Sequence, residues 1–278
     1  MFFIVCALSA EAKPLISALS LRRDNHVCPY DTFFAEDSSS VLVISGMGTV
    51  AAASATTYLL TRFGFHPGKD ILINFGSCAG KAPGIHLVNK IHDEVTGRDF
   101  YPDMLYDLSS CGLPLSSEKA LVTVSKVVAS LEDPDLLYEM EASAVFQAAA
   151  RFVPPHRMIF LKYVSDSGTD DPKKITSALL TKGAEKHIST VISVLDHLKD
   201  VTEEDDGAID EDLFIGTALD LHLSETMRHE LHQLFVYAKT EGIDMEKLLS
   251  KLEEEGRIPV KSKREGKEVL DVIRQRLI

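Results

Sequence analysis

Apolar residues fall into short continuous runs that are separated by segments with helical spacing, and this alternation predicts an α/β protein. The runs cover residues 2–8, 41–45, 71–75, 120–125 and 158–164. Continuous apolar runs of this length are typical of strands that are buried on both faces. Segments 49–60 and 176–199 carry small or apolar residues at helical spacing. We therefore predict a sheet flanked by helices.

The pattern changes after residue 200. An acidic stretch, residues 203–206, is followed by three predicted helices over about 213–240, 244–255 and 265–277. This change predicts two domains: residues 1–200 form an α/β domain, and residues 201–278 form an acidic linker with a small helical extension. The sequence gives the extension no role, although its helices offer a possible surface for a protein partner.

Charge and cysteine usage narrow the class of protein. The chain has 278 residues, a net charge of −13 and four cysteines without a C-x-x-C pair. A negative chain is not expected to bind nucleic acid, and unpaired cysteines are typical of reducing compartments. No apolar run approaches the length of a membrane span. We predict a cytoplasmic protein that binds neither membrane nor nucleic acid.

Polar residues collect at the ends of the predicted strands. Glu11, Ser77 and Asp166 follow strands, and Glu141 opens a helix. Open α/β sheets bind ligands at the carboxyl ends of their strands. Three carboxylates there suit cleavage of a glycosidic bond, as one possibility among several. For Glu11 the alternative is an acid that only stabilises the first turn of its helix.

A glycine turn, residues 46–51, has the form G-x-G-x-x-A that is found in dinucleotide-binding proteins. That motif also needs an acidic residue at the end of the next strand, and residues 71–77 offer none. A turn that packs closely or lines a smaller ligand is favoured instead. His229 and His232 in the tail lack the four-residue spacing of zinc proteases. We predict no cofactor and no metal site.

Five short motifs occur in order over residues 2–198: Ala-Leu-Ser-Ala-Glu (7–11), Ser-Gly-Met-Gly (45–48), Asn-Phe-Gly-Ser (74–77), Glu-Met-Glu-Ala (139–142) and Ser-Asp (165–166). Together they resemble the nucleoside phosphorylase/nucleosidase superfamily, and most closely its methylthioadenosine/S-adenosylhomocysteine nucleosidases. The resemblance implies a three-layer fold with a central mixed, twisted sheet between helices, and a homo-oligomer. The tail lies outside the resemblance.

The resemblance also implies a reaction, hydrolysis of the N-glycosidic bond of a purine-type nucleoside. Asp166 would protonate the base at N7, Glu11 would activate water, and Glu141 would hold the 2′- and 3′-hydroxyls of ribose. Further substrate-binding positions are Met140 against the sugar, Ser77 near the sugar or the water, and Gly76, Ser165 and Gly46.

Two alternatives stay open. Phosphorylases of the superfamily carry an arginine three residues before the serine of the Gly-Ser-Cys turn, where this chain has Asn74. That difference favours water over phosphate, although Arg22, Arg23, Arg62 or Arg98 offer positive charge from elsewhere. The nucleosidases also stack adenine on an aromatic residue after a Val-Ser strand, and residues 124–128 contain none. The accepted base is therefore open, as is a nucleoside-binding or scaffold protein without turnover.

Overall fold

A computed structural model describes residues 1–26, 28–102, 105–106, 108, 112–169, 171–204 and 209–277. These residues form two compact units, 1–201 and 202–278. The larger unit carries every strand in the described part of the chain, and the smaller unit is helical. Cys111 and the second half of the predicted acidic stretch, residues 205–206, lie outside the described residues.

The strands of the larger unit are β1 Phe2–Cys6, β2 Arg22–Arg23, β3 Asp31–Phe34, β4 Ser40–Ile44, β5 Ile71–Ala79, β6 Ile85–Asp93, β7 Arg98–Phe100, β8 Ser117–Thr123, β9 Leu137–Glu139 and β10 Met158–Asp166. Its helices are α1 Ser9–Ala18, α2 Thr49–Phe63, α3 Ala142–Ala149 and α4 Ser177–Glu204. Short 3₁₀ turns cover Pro155–Arg157 and Pro172–Lys174. All five predicted strand runs are strands in the structure.

One mixed sheet contains the described strands, in the order β10-β6-β8-β9-β5-β1-β4-β3-β2 with β7 beside β6. Strand β10 also pairs with β5, so that β5, β10, β6, β8 and β9 close into a ring. The pairs β1–β4, β1–β5 and β5–β10 are parallel, whereas β5–β9 and β6–β10 are antiparallel. The parallel strands bring their carboxyl ends to a common edge.

Alternate residues of β1 enter two separate apolar cores. Phe3 and Val5 pack with α2 and α3, and Ile4 and Cys6 pack with α1 and α4. Successive side chains of a strand point to opposite faces, so a strand with helices on both sides is apolar throughout. The prediction of a mixed sheet between helices is confirmed.

Strand β5 is longer than its apolar run. The run 71–75 ends at Phe75, but the strand continues to Ala79 because β10 pairs with it through that end. Small residues here allow close approach: a Cβ on Gly76 would lie 3.4 Å from both carboxylate oxygens of Glu11. The turn predicted at residues 76–80 is therefore mostly strand, and it runs directly beside a carboxylate.

Residues 209–277 contain four helices where the sequence predicted three: α5 Glu211–Asp220, α6 Glu225–Thr240, α7 Met245–Glu254 and α8 Lys263–Leu277. The predicted helix over 213–240 is broken at His222, which adopts a left-handed φ of 49°. Close packing of α8 fixes this break, since a Cβ on Gly266 would lie 1.9 Å from the carbonyl oxygen of Leu221. Helix α4 also runs to Glu204, into the predicted linker.

The four helices enclose an apolar core of their own, which includes Leu221, Leu231, Leu252 and Ile273. Each of these side chains is almost completely buried. None of the helices in the described ranges is long and apolar enough to cross a membrane.

Candidate active site

A cavity of about 430 Å³ opens at the carboxyl ends of β1, β5 and β10. It is lined by six of the eight predicted site residues: Glu11, Ser77, Met140, Glu141, Ser165 and Asp166. Glu139 also lines it. Residues from four separate parts of the sequence therefore meet at one edge of the sheet.

Glu11 lies in the first turn of α1 and is buried. One carboxylate oxygen accepts hydrogen bonds from the backbone N–H of Ser77 at 2.8 Å and from its hydroxyl at 2.5 Å. The other oxygen accepts the N–H of Leu8 at 3.1 Å, which caps the helix. Glu11 thus combines the two roles that the sequence left open, a helix-capping acid and a group at the cavity.

Asp166 ends β10 at an irregularity, because the register with β5 shifts between Val164 and Asp166. Such irregularities re-aim side chains beside functional sites. Its carboxylate accepts the N–H of Gly168 at 2.9 Å and the hydroxyl of Ser165 at 2.9 Å. The Ser165 hydroxyl also lies 3.3 Å from the carbonyl oxygen of Cys78, on β5. Neighbouring strands therefore fix the orientation of Asp166.

Glu141 occupies the N-cap position of α3 and is 8% exposed. One of its carboxylate oxygens accepts the N–H of Gly48 at 2.7 Å. Gly48 has a φ of 91°, which favours glycine, so the glycine turn serves to present this N–H to a carboxylate. Burial and the nearby charge of Glu139 raise the pKa of Glu141 to about 7.

No role is predicted for Glu139, yet among the described residues its carboxylate accepts the most hydrogen bonds in the site. It accepts hydrogen bonds from the backbone N–H groups of Glu141 and Ala142 and from the hydroxyl of Thr123. It also forms an ion pair with Lys162, at 3.0 Å, and both side chains are about 2% exposed. A lysine at the fifth position of the apolar run 158–164 is the signal in the sequence that could have indicated such a pair.

Free acceptor sites differ among the four carboxylates. A carboxylate offers about four lone-pair sites. Among the described residues, Glu139 has four donor groups and Glu11 has three, whereas Asp166 has two and Glu141 has one. Glu141 and Asp166 therefore have the most capacity for a ligand, Glu11 has room for about one donor, and Glu139 has none.

Gly46 and Gly76 are not among the described residues that line the cavity, so their role in substrate binding stays a prediction. Gly46 has a φ of 85°, and its N–H donates to the carbonyl oxygen of Ala7 at 3.0 Å. Gly76 makes room for the Glu11 carboxylate. Each glycine shapes the backbone that carries a lining residue, Met47 or Ser77.

An apolar wall covers one part of the cavity. It is formed by Val124, Val127, Val128, Tyr138 and Met140. The Tyr138 hydroxyl accepts the N–H of Asp133 at 3.0 Å, which fixes the ring. Residues 124–128 themselves contain no aromatic residue, and β9 supplies Tyr138 to the same wall from further along the chain.

No family model matches the chain. Among curated proteins, it is 27% identical over 229 residues to the 5′-methylthioadenosine/S-adenosylhomocysteine nucleosidase of Geobacillus thermodenitrificans, which covers 69% of this chain and 94% of that protein. It is 24% identical over 235 residues to the same enzyme of Actinobacillus succinogenes, with 70% and 98% covered.

Solved structures give the same result at the level of the fold. The nucleosidase of Colwellia psychrerythraea in complex with adenine aligns with a TM-score of 0.58 at 22% identity, covering 71% of this chain and 95% of that one. A futalosine hydrolase mutant of Helicobacter pylori aligns with a TM-score of 0.59 at 14% identity, covering 70% and 98%.

The fold is therefore that of the enzymes that cleave N-glycosidic bonds of nucleosides. Within that class, the curated relatives and structural neighbours reported above include methylthioadenosine/S-adenosylhomocysteine nucleosidases, in the nucleoside phosphorylase/nucleosidase superfamily. The resemblance that the five motifs indicate is confirmed.

Proposed function

We propose that this chain is a nucleosidase, which hydrolyses the N-glycosidic bond of a purine-type nucleoside to the free base and a ribose product. One observation carries the proposal: Glu11, Glu141 and Asp166 line one cavity, and each carboxylate has acceptor sites that no described donor uses. About one such site is free on Glu11, two on Asp166 and three on Glu141. Its curated relatives are nucleosidases by name, and the chain covers 94% and 98% of two of them.

Asp166 is the proposed general acid. A purine leaves poorly as an anion, so a proton on N7 lowers the barrier to breaking the bond between C1′ and the base. The Asp166 carboxyl is held by Ser165 and Gly168 at one end of the cavity. The bonding electrons pass to the base nitrogen as the proton moves from Asp166 to N7.

Glu11 is the proposed general base. The Ser77 hydroxyl and two backbone N–H groups occupy about three of its acceptor sites, which leaves one for a proton of water. The water oxygen bonds to C1′ while Glu11 takes its proton. After the reaction Glu11 is protonated and Asp166 is ionised, so exchange with solvent restores both groups.

Glu141 is the proposed ligand of the 2′- and 3′-hydroxyls. Its single described donor, the N–H of Gly48, leaves about three acceptor sites for two hydroxyl groups. Met140, the preceding residue, lines the cavity and would pack on the sugar. A carboxylate beside C1′ also favours the oxocarbenium-like transition state, in which the sugar becomes positive.

Water is favoured over phosphate as the nucleophile by the charge of the cavity. Four carboxylates line it, and none of its described lining residues is Arg, Lys or His. Asn74, at the position where phosphorylases carry arginine, is buried and donates to the carbonyl oxygen of Val5. Arg22, Arg23 and Arg62 form ion pairs with acidic residues outside the lining.

The proposed substrates are adenine nucleosides with a thioether at the 5′ position, in line with the names of the curated relatives. The apolar wall around Tyr138 and Val124 suits the faces of a purine. Futalosine hydrolases share the fold, so futalosine belongs in the same substrate panel.

The test is incubation of the purified chain with this nucleoside panel, with and without phosphate. Release of free base and a reducing sugar without phosphate is the expected result. Strict dependence on phosphate would instead indicate a phosphorylase. Binding of a nucleoside without any release of base would indicate a binding or scaffold protein.

We further propose that the chain forms a homo-oligomer in the cytoplasm and that its C-terminal helices bind a protein partner. Val50, on α2, is 81% exposed, and Met47, at the cavity, is 65% exposed, which supports self-association through this surface. The described cysteines are free thiols, in keeping with a reducing compartment. Light scattering after size exclusion, with Val50→Lys as the variant, tests the oligomer.

A further inference from the structure

Glu139 is the one carboxylate at the cavity whose described partners use all of its acceptor sites. Its oxygens bind the N–H of Glu141 at 3.0 Å, the N–H of Ala142 at 2.9 and 3.0 Å, and the hydroxyl of Thr123 at 2.8 Å. These donors include the first backbone N–H groups of α3, so Glu139 fixes the start of the helix that carries Glu141. Glu139 has no site left for substrate.

Lys162 neutralises this carboxylate. Its ammonium lies 3.0 Å from Glu139, and the side chain is 2% exposed. Burial lowers the pKa of Lys162, but Glu139 and Glu141 outweigh burial, so the net shift is upward. Lys162 is therefore charged at physiological pH, and it lies beneath a cavity whose own described lining contains no basic residue.

The charged groups around Glu141 come from every element that packs on it. Glu11 on α1, Glu139 on β9 and Asp166 on β10 supply carboxyl groups, as does Asp93 on β6, which accepts the hydroxyl of Ser143 on α3. The opposing groups are Lys162 on β10 and the N–H of Gly48 at the start of α2. Lys162 is thus the sole cation among these groups.

We propose that the buried Glu139–Lys162 ion pair is the positioning element of this site: Glu139 holds the start of the helix that carries Glu141, and Lys162 offsets the charge that Glu139 places beside the Glu141 carboxyl. The purpose of this arrangement rests on the proposed function, in which the Glu141 carboxylate binds the 2′- and 3′-hydroxyls of ribose. The pair itself touches neither the sugar nor the base. Its effect passes through Glu141.

The experiment reads the titration of Glu141 directly and needs no substrate. NMR of protein with ¹³C-labelled glutamate carboxyls follows the Glu141 signal with pH, assigned by its loss in Glu141→Gln. Lys162→Met should move the Glu141 midpoint upward by about one pH unit, and Glu139→Gln should move it downward. Lys162→Arg keeps the charge and should restore a midpoint near that of the wild type.

Opposite shifts in the two variants support the proposal, together with a matching pH dependence of KM wherever the wild type cleaves a nucleoside. An unchanged Glu141 midpoint in Glu139→Gln and Lys162→Met overturns it, since a purely structural pair would alter stability alone. If Lys162→Met does not fold, the Glu141 midpoint is measured in Glu139→Gln and in the double variant Glu139→Gln/Lys162→Met, and these two values decide between the outcomes. A wild type that releases no base, but shows these shifts, refutes the proposed function and not the ion pair.

Discussion

Replacing Glu141 with glutamine should stabilise the fold at high pH while it removes activity. Glu141 is 8% exposed and its pKa is raised from the ordinary 4.5 to about 7. Between these two values the folded chain binds more protons than the unfolded chain, so stability falls as the pH rises through this window. Glutamine has nearly the same shape and does not titrate, so the variant escapes this loss.

The size of the effect follows from the same two values. The difference between 4.5 and about 7 corresponds to roughly 3 kcal/mol of stability lost between pH 4 and pH 8. Glutamine can still accept the N–H of Gly48, although the lost charge weakens that hydrogen bond. We therefore expect Glu141→Gln to exceed the wild type by about 2 to 3 kcal/mol at pH 8 and to match it near pH 4.5.

Urea unfolding of both proteins, at half-unit steps from pH 4.5 to pH 8.5, measures this difference. The matched control is Glu132→Gln, which replaces an exposed glutamate and should leave the free energy of unfolding parallel to that of the wild type. A constant difference between Glu141→Gln and the wild type across this range would refute the reasoning. It would mean that folding does not raise the pKa of Glu141.

Three further predictions concern the catalytic roles and the C-terminal unit. Asp166→Asn should lower kcat by about 10² to 10⁴-fold with little change in melting temperature, and an active variant would remove Asp166 from the mechanism. Ser77→Ala should lower kcat/KM about tenfold, because Glu11 loses its 2.5 Å hydrogen bond; unchanged kinetics would show that this contact has no role. Gly266→Ala should destabilise the C-terminal helices by about 2 kcal/mol or more, whereas Gly216→Ala, which meets nothing within 4 Å, should stabilise them by about 0.5 to 1 kcal/mol. Hydrogen exchange over residues 211–277 of the full chain measures both, and equal effects would contradict the packing at Leu221.

The sequence predicted the strands well because burial on both faces leaves continuous apolar runs. The errors come from contacts between segments that are distant in the sequence. Strand β5 extends past Phe75 because β10 pairs with small residues that carry no apolar signal. The break at His222 depends on contact between Gly266 and Leu221, which are far apart in the sequence. Periodicity within one segment cannot contain that information.

The candidate site could be predicted as a set of residues but not as a set of contacts. Strand ends indicated Glu11, Ser77 and Asp166, since parallel strands bring their carboxyl ends together. The function of the glycine turn depends on one backbone N–H, that of Gly48, meeting a side chain 93 residues away. A lysine within a buried strand, Lys162, indicates a buried ion pair, because a lysine is rarely buried without an acidic partner. The sequence alone does not show that the partner is Glu139.

The carboxyl groups at the cavity affect both the stability of the fold and the proposed reaction. Glu11, Glu141 and Asp166 face the cavity, and the nearest buried cation, Lys162, is already paired with Glu139. A nucleoside is neutral in the ground state, so this field affects its binding little. Positive charge develops on the sugar only as the bond to the base breaks, and there the carboxylates act without rearrangement. The field that destabilises the fold above pH 7 is thus the field that would favour the transition state, and it would oppose the entry of phosphate while admitting water.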